Sequence, residues 1–463
     1  MDHEDLRGWS KRAADWIADY HAGLRDRPVR ARTAPGETAA QLPAAPPEAA
    51  EPMEAIFADF ERIVPPAMTH WQHQRFFAYF PANAAPASML AEQLANGMAA
   101  QAMLWQTAPA ATEIETVMVG WLRRALGLPD RFTGTIHDSA TTATLSAVLT
   151  MREAALGWAG LTEGLSGQPR LRLYASAETH SSIDKAARIA GIGQHNLVKV
   201  PTDATLSMKP GALAGAIAAD RDAGHLPAGV ILCAGGTSVG AFDRIGDCIA
   251  VAKSAGLPVH VDAAWAGSAM ICPEFRHLWA GVEGADSIVF NPHKWLGAQF
   301  DCAVQFLADP GPQVKTLGLR PAYLETAGRE EITNFNEWTV PLGRRFRALK
   351  LWILIRAYGL DGLRGRIRNH VLWAGELRDA LAALPGVEIV TEPALSLFSF
   401  RLAAGDGATE DLLARINDDG RTYLTQTRHA GRYAIRVQVG PFDCTRDDVM
   451  MVARVVADLM RRG

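Results

Sequence analysis

Apolar residues recur at helical spacing near the start of the chain: Leu6, Trp9, Ala13, Trp16, Ile17 and Tyr20. That period predicts an amphipathic helix over residues 1–27. A polar stretch with Pro28, Pro35 and Pro43 follows, and PAAPPEAAEP (43–52) reads as a linker. Residues 1–85 therefore read as a helical arm whose apolar stripe needs a docking surface, with a partner subunit as one choice. From about 130 to 310 the texture changes. Short apolar runs at 170–176, 228–235, 258–264 and 287–291 read as buried strands, with helical patterns such as 243–255 between them. This alternation predicts an α/β fold with a mostly parallel sheet and helices on both faces. Ligands in such sheets bind at the carboxyl ends of the strands. The run RRFRALKLWILIRAY predicts a strong helix over 344–358, leading into a C-terminal α+β unit with strands over 387–390, 395–402 and 433–439. The units are then an arm (1–85), a large domain (86–358) and a small domain (359–463).

Composition narrows the class. Of 463 residues, 48% are hydrophobic and 21% charged, ample for a buried core and wrong for a disordered chain. The net charge of -4 lacks the basic surplus of a nucleic-acid binder. No apolar run approaches the ~20 residues of a membrane helix, and MDHEDLRGW carries no signal-peptide core. Five cysteines without a C-x-x-C pair predict neither a disulfide framework nor a zinc site. No G-x-G-x-x-G or Walker A pattern occurs. The expectation is a cytoplasmic enzyme of small molecules, with no metal, membrane or nucleic-acid partner.

The chemistry concentrates in VHVDAAWAG (259–267) and FNPHKWLG (290–297). Asp262 closes an apolar strand, which puts a carboxylate at the ligand edge of the sheet; a helix cap or a solvated loop acid would look the same. Lys294 is one of only eight lysines among 46 basic residues. It follows an apolar strand and precedes Trp295 and Leu296. An amine in apolar surroundings gives up its charge and becomes nucleophilic toward carbonyls; the alternative is a snorkelling surface lysine. Together the two residues are the minimum apparatus for pyridoxal phosphate, the lysine to hold its aldehyde and the acid to keep its ring nitrogen protonated. Ala263 and Ala264 leave room for a flat ring. The Ser/Thr-rich turn in HDSATTATL (137–145), just before a helical pattern, offers donors to an anion, although ordinary helix capping uses the same residues.

These segments carry a resemblance. VHVDAAWAGSAMICPEFRHL and NPHKWLGAQFDC closely resemble the pyridoxal-phosphate-dependent aromatic-L-amino-acid decarboxylases, the group II decarboxylases. So do HWQHQRFFAYFPA (70–82), YASAETHSSIDKA (174–186) and VPLGRRFRALKLW (340–352), in that family's order. The resemblance covers essentially the whole chain. It implies the fold-type I architecture of pyridoxal-phosphate enzymes, with a seven-stranded sheet, and an obligate homodimer with active sites at the subunit interface. It also implies that Lys294 holds the cofactor as a Schiff base, Asp262 pairs with the pyridine nitrogen and His180 stacks on the ring. Ala140 and Thr141 would cradle the phosphate with Asn291 and His293, while Thr237 and Ala264 would lie near the ring. Tyr323, in RPAYLETAGREEITN (320–334), resembles the proton donor of the family's mobile catalytic loop. Aldehyde-forming relatives carry phenylalanine there, and some carry asparagine for the stacking histidine. Tyr323 and His180 therefore point to amine formation, with an aldehyde synthase as the alternative.

Trp71, Tyr79 and Phe80 resemble the family's aromatic substrate wall, which would stack an aromatic side chain; a plain core cluster is the other reading. Gly343 stands where histidine-specific relatives carry serine. Gln101 and Met103 fall where the animal enzymes have apolar and aromatic residues contributed by the neighbouring subunit, and Ala82 replaces a threonine. These positions leave the choice among tryptophan, tyrosine, DOPA and phenylalanine open. A rival motif is Gly236-Thr237-Ser238-Val239-Gly240, which matches the nucleophile elbow of serine hydrolases.

Overall fold

A computed structural model describes residues 1–319 and 332–462. The large sheet has seven strands: β1 (Thr133–His137), β2 (Leu171–Ser176), β3 (Leu197–Val200), β4 (Leu226–Cys233), β5 (Val259–Asp262), β6 (Ser287–Phe290) and β7 (Ala303–Leu307). Their order is β1-β7-β6-β5-β4-β2-β3. All neighbours run parallel except β7, which is antiparallel to both β1 and β6. The four apolar runs read from the sequence are β2, β4, β5 and β6. They lie side by side, and their residues are almost all buried, as strands covered on both faces must be. β1, β3 and β7 carry no comparable apolar signature and were not predicted.

The second sheet is antiparallel: β8 (Val387–Ala394), β9 (Leu397–Leu402), β10 (Thr425–His429) and β11 (Arg432–Gln438), in the order β10-β11-β9-β8. The C-terminal helix Arg446–Arg462 and the helix Asp406–Asp419 pack on it around Phe398, Phe400, Ile435 and Val452. Phe77, from the arm, joins this second core.

Three boundaries differ from the sequence reading. The opening helix spans His3–Ala22, started by a capping box between Asp2 and Asp5. Its apolar stripe docks within the chain, on the helix Met53–Ile63, through Trp9 on Phe57 and Trp16 on Phe60. The expected helix at 344 begins only at Ala348. Arg344 instead buries its guanidinium against Glu115 at 2.6 Å and the Ile136 carbonyl at 2.8 Å, which holds its backbone outside the helix. That helix leaves its path at Gly359 (φ 63°), a backbone conformation open to glycine, and then continues to Ala382.

Candidate active site

Parallel β4, β5 and β6 deliver Cys233, Asp262 and Phe290–Asn291 to one edge of the large sheet. Asp262 is buried, and its Oδ1 accepts the Ala264 N–H at 3.0 Å. The chain then leaves β6 in a tight turn, closed by the Lys294 N–H donating to the Asn291 carbonyl at 2.9 Å. The turn throws Lys294 back over the strand ends.

Lys294, Asp262 and His180 feel one another's charge. Burial brings the Lys294 amine down to about 8, against the pull of Asp262. Near neutral pH it therefore releases its proton far more readily than an ordinary lysine. His180 is lowered by desolvation and by Lys294, while Asp262 raises it, so the imidazole is held toward its neutral form.

A cavity of about 250 Å³ is lined by Ser139, Ala140, Thr141, His180, Thr237, Asp262, Ala264, Asn291 and Lys294, among others. Ala140 and Thr141 open the helix Ala140–Ala155, capped by Ser139 Oγ accepting from Thr142 N–H. The first turn of that helix presents donors and the positive end of its dipole to the cavity. Gly235 (φ 87°) lets the Trp265 indole approach and donate to its carbonyl at 2.6 Å; a Cβ there would lie 2.7 Å from Trp265 Nε1.

A second cavity of about 1030 Å³ meets the first at His180, Thr237 and Lys294. Trp71, Tyr79, Phe80 and Ala82 line it, as does His293. Phe80 stacks on Trp265 at 5.0 Å and carries two cations over its ring, Lys294 Nζ at 4.9 Å and the Arg436 guanidinium at 4.5 Å. Trp71 and Tyr79 stack at 5.8 Å.

The structure thus brings together the residues expected around the cofactor, except that His293 borders the larger cavity only. Its Nδ1 accepts from the Cys302 N–H at 2.9 Å. Met103 and Gly343 line neither cavity. Their chain neighbours pair outside both cavities, where Ala102 N–H donates to the Arg344 carbonyl and Arg344 N–H to Gln101 Oε1. A Cβ at Gly343 would lie 3.1 Å from Gln101 Nε2. Tyr323 lies outside the described residues. Ser238 borders the larger cavity, but β4 ends at Cys233 and the next helix starts at Ile245. That spacing is not a nucleophile elbow, which needs the serine at a sharp strand-to-helix turn.

Residues 35–403 match the pyridoxal-dependent decarboxylase conserved domain. The chain belongs to this family of pyridoxal-dependent decarboxylases. It is 37% identical to the aromatic-L-amino-acid decarboxylase of Rattus norvegicus over 454 residues, 95% of this chain and 94% of the relative. Its fold superposes on Oryza sativa TDC solved with PLP and tryptamine at a TM-score of 0.96 and 34% identity, covering 100% and 99% of the two chains. It also superposes on Rhodiola rosea 4-hydroxyphenylacetaldehyde synthase at a TM-score of 0.93 and 33% identity, with 100% and 99% covered.

The cofactor of this decarboxylase family, pyridoxal phosphate, fits the smaller cavity. A carboxylate, an easily discharged amine and a helix N-terminus are the three partners its ring nitrogen, aldehyde and phosphate need. Asn291 adds a buried side-chain carbonyl without a partner among the described residues, and a half-turn of that amide would offer its NH2 to an anion instead.

Two residues of the site escaped sequence reasoning. Arg436 is buried in β11, donates to the Thr237 carbonyl at 3.0 Å and the Tyr79 carbonyl at 2.5 Å, and its Nη2 has no partner among the described residues, beside the larger cavity. It helps hold Tyr79 at a left-handed φ of 51°. A lone arginine inside the apolar run YAIRVQV was the available signal. Asn83 donates to the Lys294 and Gly440 carbonyls and accepts from the Phe442 N–H. Nothing in its local sequence marks it.

Proposed function

We propose that this decarboxylase removes carbon dioxide from an aromatic L-amino acid and releases the arylalkylamine. One observation carries the reading: the small cavity with Lys294, Asp262 and His180 opens directly into a larger one walled by Trp71, Tyr79 and Phe80. An aromatic side chain gains burial and offset stacking on such a wall.

Bound pyridoxal phosphate supplies an electron sink for the bond to carbon dioxide. The chain's own residues do the rest. Lys294 would hold the cofactor, and burial makes its amine easy to discharge. Asp262 keeps a proton on the facing nitrogen. His180 would face the ring, and Ala140, Thr141 and Asn291 would hold the phosphate, with His293 on the side of the larger cavity. Thr237 and Ala264 would lie beside the ring, and Phe80 walls the approach from the larger cavity. Arg436 would offer Nη2 to the substrate carboxylate, a charge-assisted contact. Tyr323 returns a proton to Cα, by the resemblance of its segment.

The second reading is an aldehyde-forming enzyme, favoured by the likeness to 4-hydroxyphenylacetaldehyde synthase. Mass spectrometry of products from L-tryptophan, L-tyrosine, L-DOPA and L-phenylalanine separates the two. Amine is expected. Aldehyde with ammonia would overturn that choice, and no turnover of any would overturn the substrate class. Tyr323→Phe should divert product from amine toward aldehyde.

We also read the molecule as a homodimer. Leu90, Leu94 and Met98 form an exposed apolar row at a spacing of four along and just past the helix Pro86–Gly97. Gln101, Met103 and Gly343 would then complete the partner's substrate cavity. All five cysteines are free and buried, which supports a reducing compartment such as the cytoplasm. Among the described residues no helix is long and apolar enough to cross a membrane.

A further inference from the structure

His180 occupies the N-cap of the helix Ser181–Ile189, a position that favours Ser, Thr, Asp or Asn. Its Nδ1 accepts the Ser182 backbone N–H at 3.1 Å and lies 2.8 Å from Ser182 Oγ. A backbone amide can only donate, so Nδ1 carries the lone pair. A neutral imidazole in this setting has its one proton on Nε2. Nε2 itself has no hydrogen-bond partner among the described residues, and the ring borders both cavities. Ser182 is buried and lines the smaller cavity, whereas His180 is exposed into the space the two cavities share.

Moving the proton to Nδ1 would set two donors head to head across the Ser182 amide. It would also leave that amide without an acceptor in the first turn of a helix, where no intrahelical acceptor exists. Orphaning a buried donor biases the tautomer ratio by about tenfold or more. The Ser182 hydroxyl, at 2.8 Å, can donate to or accept from Nδ1 and follows the tautomer that the amide sets.

We propose that Ser182 is a positioning residue that locks His180 as an Nε2–H donor facing the cavity, so that any proton or hydrogen bond His180 gives leaves from that side only. This rests on the reading of His180 as the residue over the cofactor ring. Burial lowers the imidazole's affinity for a second proton, as Lys294 does, against the pull of Asp262.

The test is nitrogen NMR on the pyridoxal-phosphate-loaded enzyme carrying 15N-histidine, with the His180 signals assigned by their loss in His180→Asn. The wild type should show the neutral Nε2-protonated pattern near neutral pH. Ser182→Pro, which removes the backbone N–H in the first turn of the helix, should shift that pattern toward a mixture and lower kcat by about fivefold, the worth of one hydrogen bond, with KM little changed. Ser182→Ala, which keeps the backbone N–H, should retain the Nε2-protonated pattern. A wild-type pattern with Nδ1 protonated overturns the proposal, whether or not the variants fold. So does a Ser182→Pro enzyme that loses activity with its tautomer pattern unchanged, because that is a merely structural effect. The reading of His180 itself fails separately, if His180→Asn leaves both turnover and the visible absorption of the bound cofactor unchanged.

Discussion

The side-chain amide of Asn83 donates to the carbonyl oxygen of Lys294 at 2.6 Å, linking positions 211 residues apart. The same amide NH2 reaches the Gly440 carbonyl at 2.9 Å, and its oxygen accepts the Phe442 N–H at 2.9 Å. One buried residue thus ties the lysine turn to the chain after β11. Asn83→Ala would strand three backbone groups and should cost about 2–4 kcal/mol in urea denaturation. It should also loosen cofactor retention on dialysis. Retention equal to wild type would show that the turn holds Lys294 unaided.

Lys294→Ala should leave a folded protein without covalently held cofactor. Borohydride reduction followed by peptide mapping reads this directly. The wild type should carry the pyridoxyl mass on the peptide containing Lys294, and the variant on none. Label on another lysine would displace Lys294 from its role.

Arg436→Lys keeps a charge but cannot serve Thr237, Tyr79 and a substrate at once. A hydrogen bond to a charged group is worth about 1.5–3 kcal/mol, so kcat/KM should fall roughly 10- to 150-fold. Unchanged steady-state kinetics would confine Arg436 to holding the Tyr79 loop.

Acid should unfold the protein early. Burial lowers His73, His137 and His260 from 6.5 to about 4, and His293 and His370 to about 3. Below 6.5 the unfolded chain takes up protons that the native state refuses. Stability from these groups is therefore complete above 6.5 and lost as pH falls toward 4. Between pH 6.5 and 5 each accounts for about 2 kcal/mol, and together they rival a typical total stability. Urea midpoints measured from pH 7.5 down to 5 should drop steeply. A flat profile would mean that these sites take up protons without unfolding.

Much of this architecture was legible because β4, β5 and β6 are apolar runs that must be buried on both faces. Asp262 and Lys294 stood out as charges placed directly after such runs. What could not be read was polar burial satisfied from afar. β1 and β7 carry His137 and Gln305, which look like surface residues in sequence. They are fully enclosed because His137 Nε2 meets Gln305 Oε1 at 2.8 Å, while Gln305 also exchanges hydrogen bonds with Gln313 and Ser287. Arg344 misled for the same reason: its helix-forming neighbourhood yields to a buried carboxylate, Glu115. Arg436 was legible in principle, as a cation inside a strand, and its partners were not.

The antiparallel placement of β7 bears on how the chain assembles as it is synthesised. β2 to β6 pair with one another and can add in sequence as they emerge. β1 pairs only with β7, so His137 waits for Ala303. Until then β1 has no partner for its backbone. Non-local pairing of this kind is slow and leaves an edge open to other chains. The last strand of the large sheet to be made is the one that allows its first to join, so a nascent chain stalled before residue 303 should be a client for chaperones and unable to retain pyridoxal phosphate.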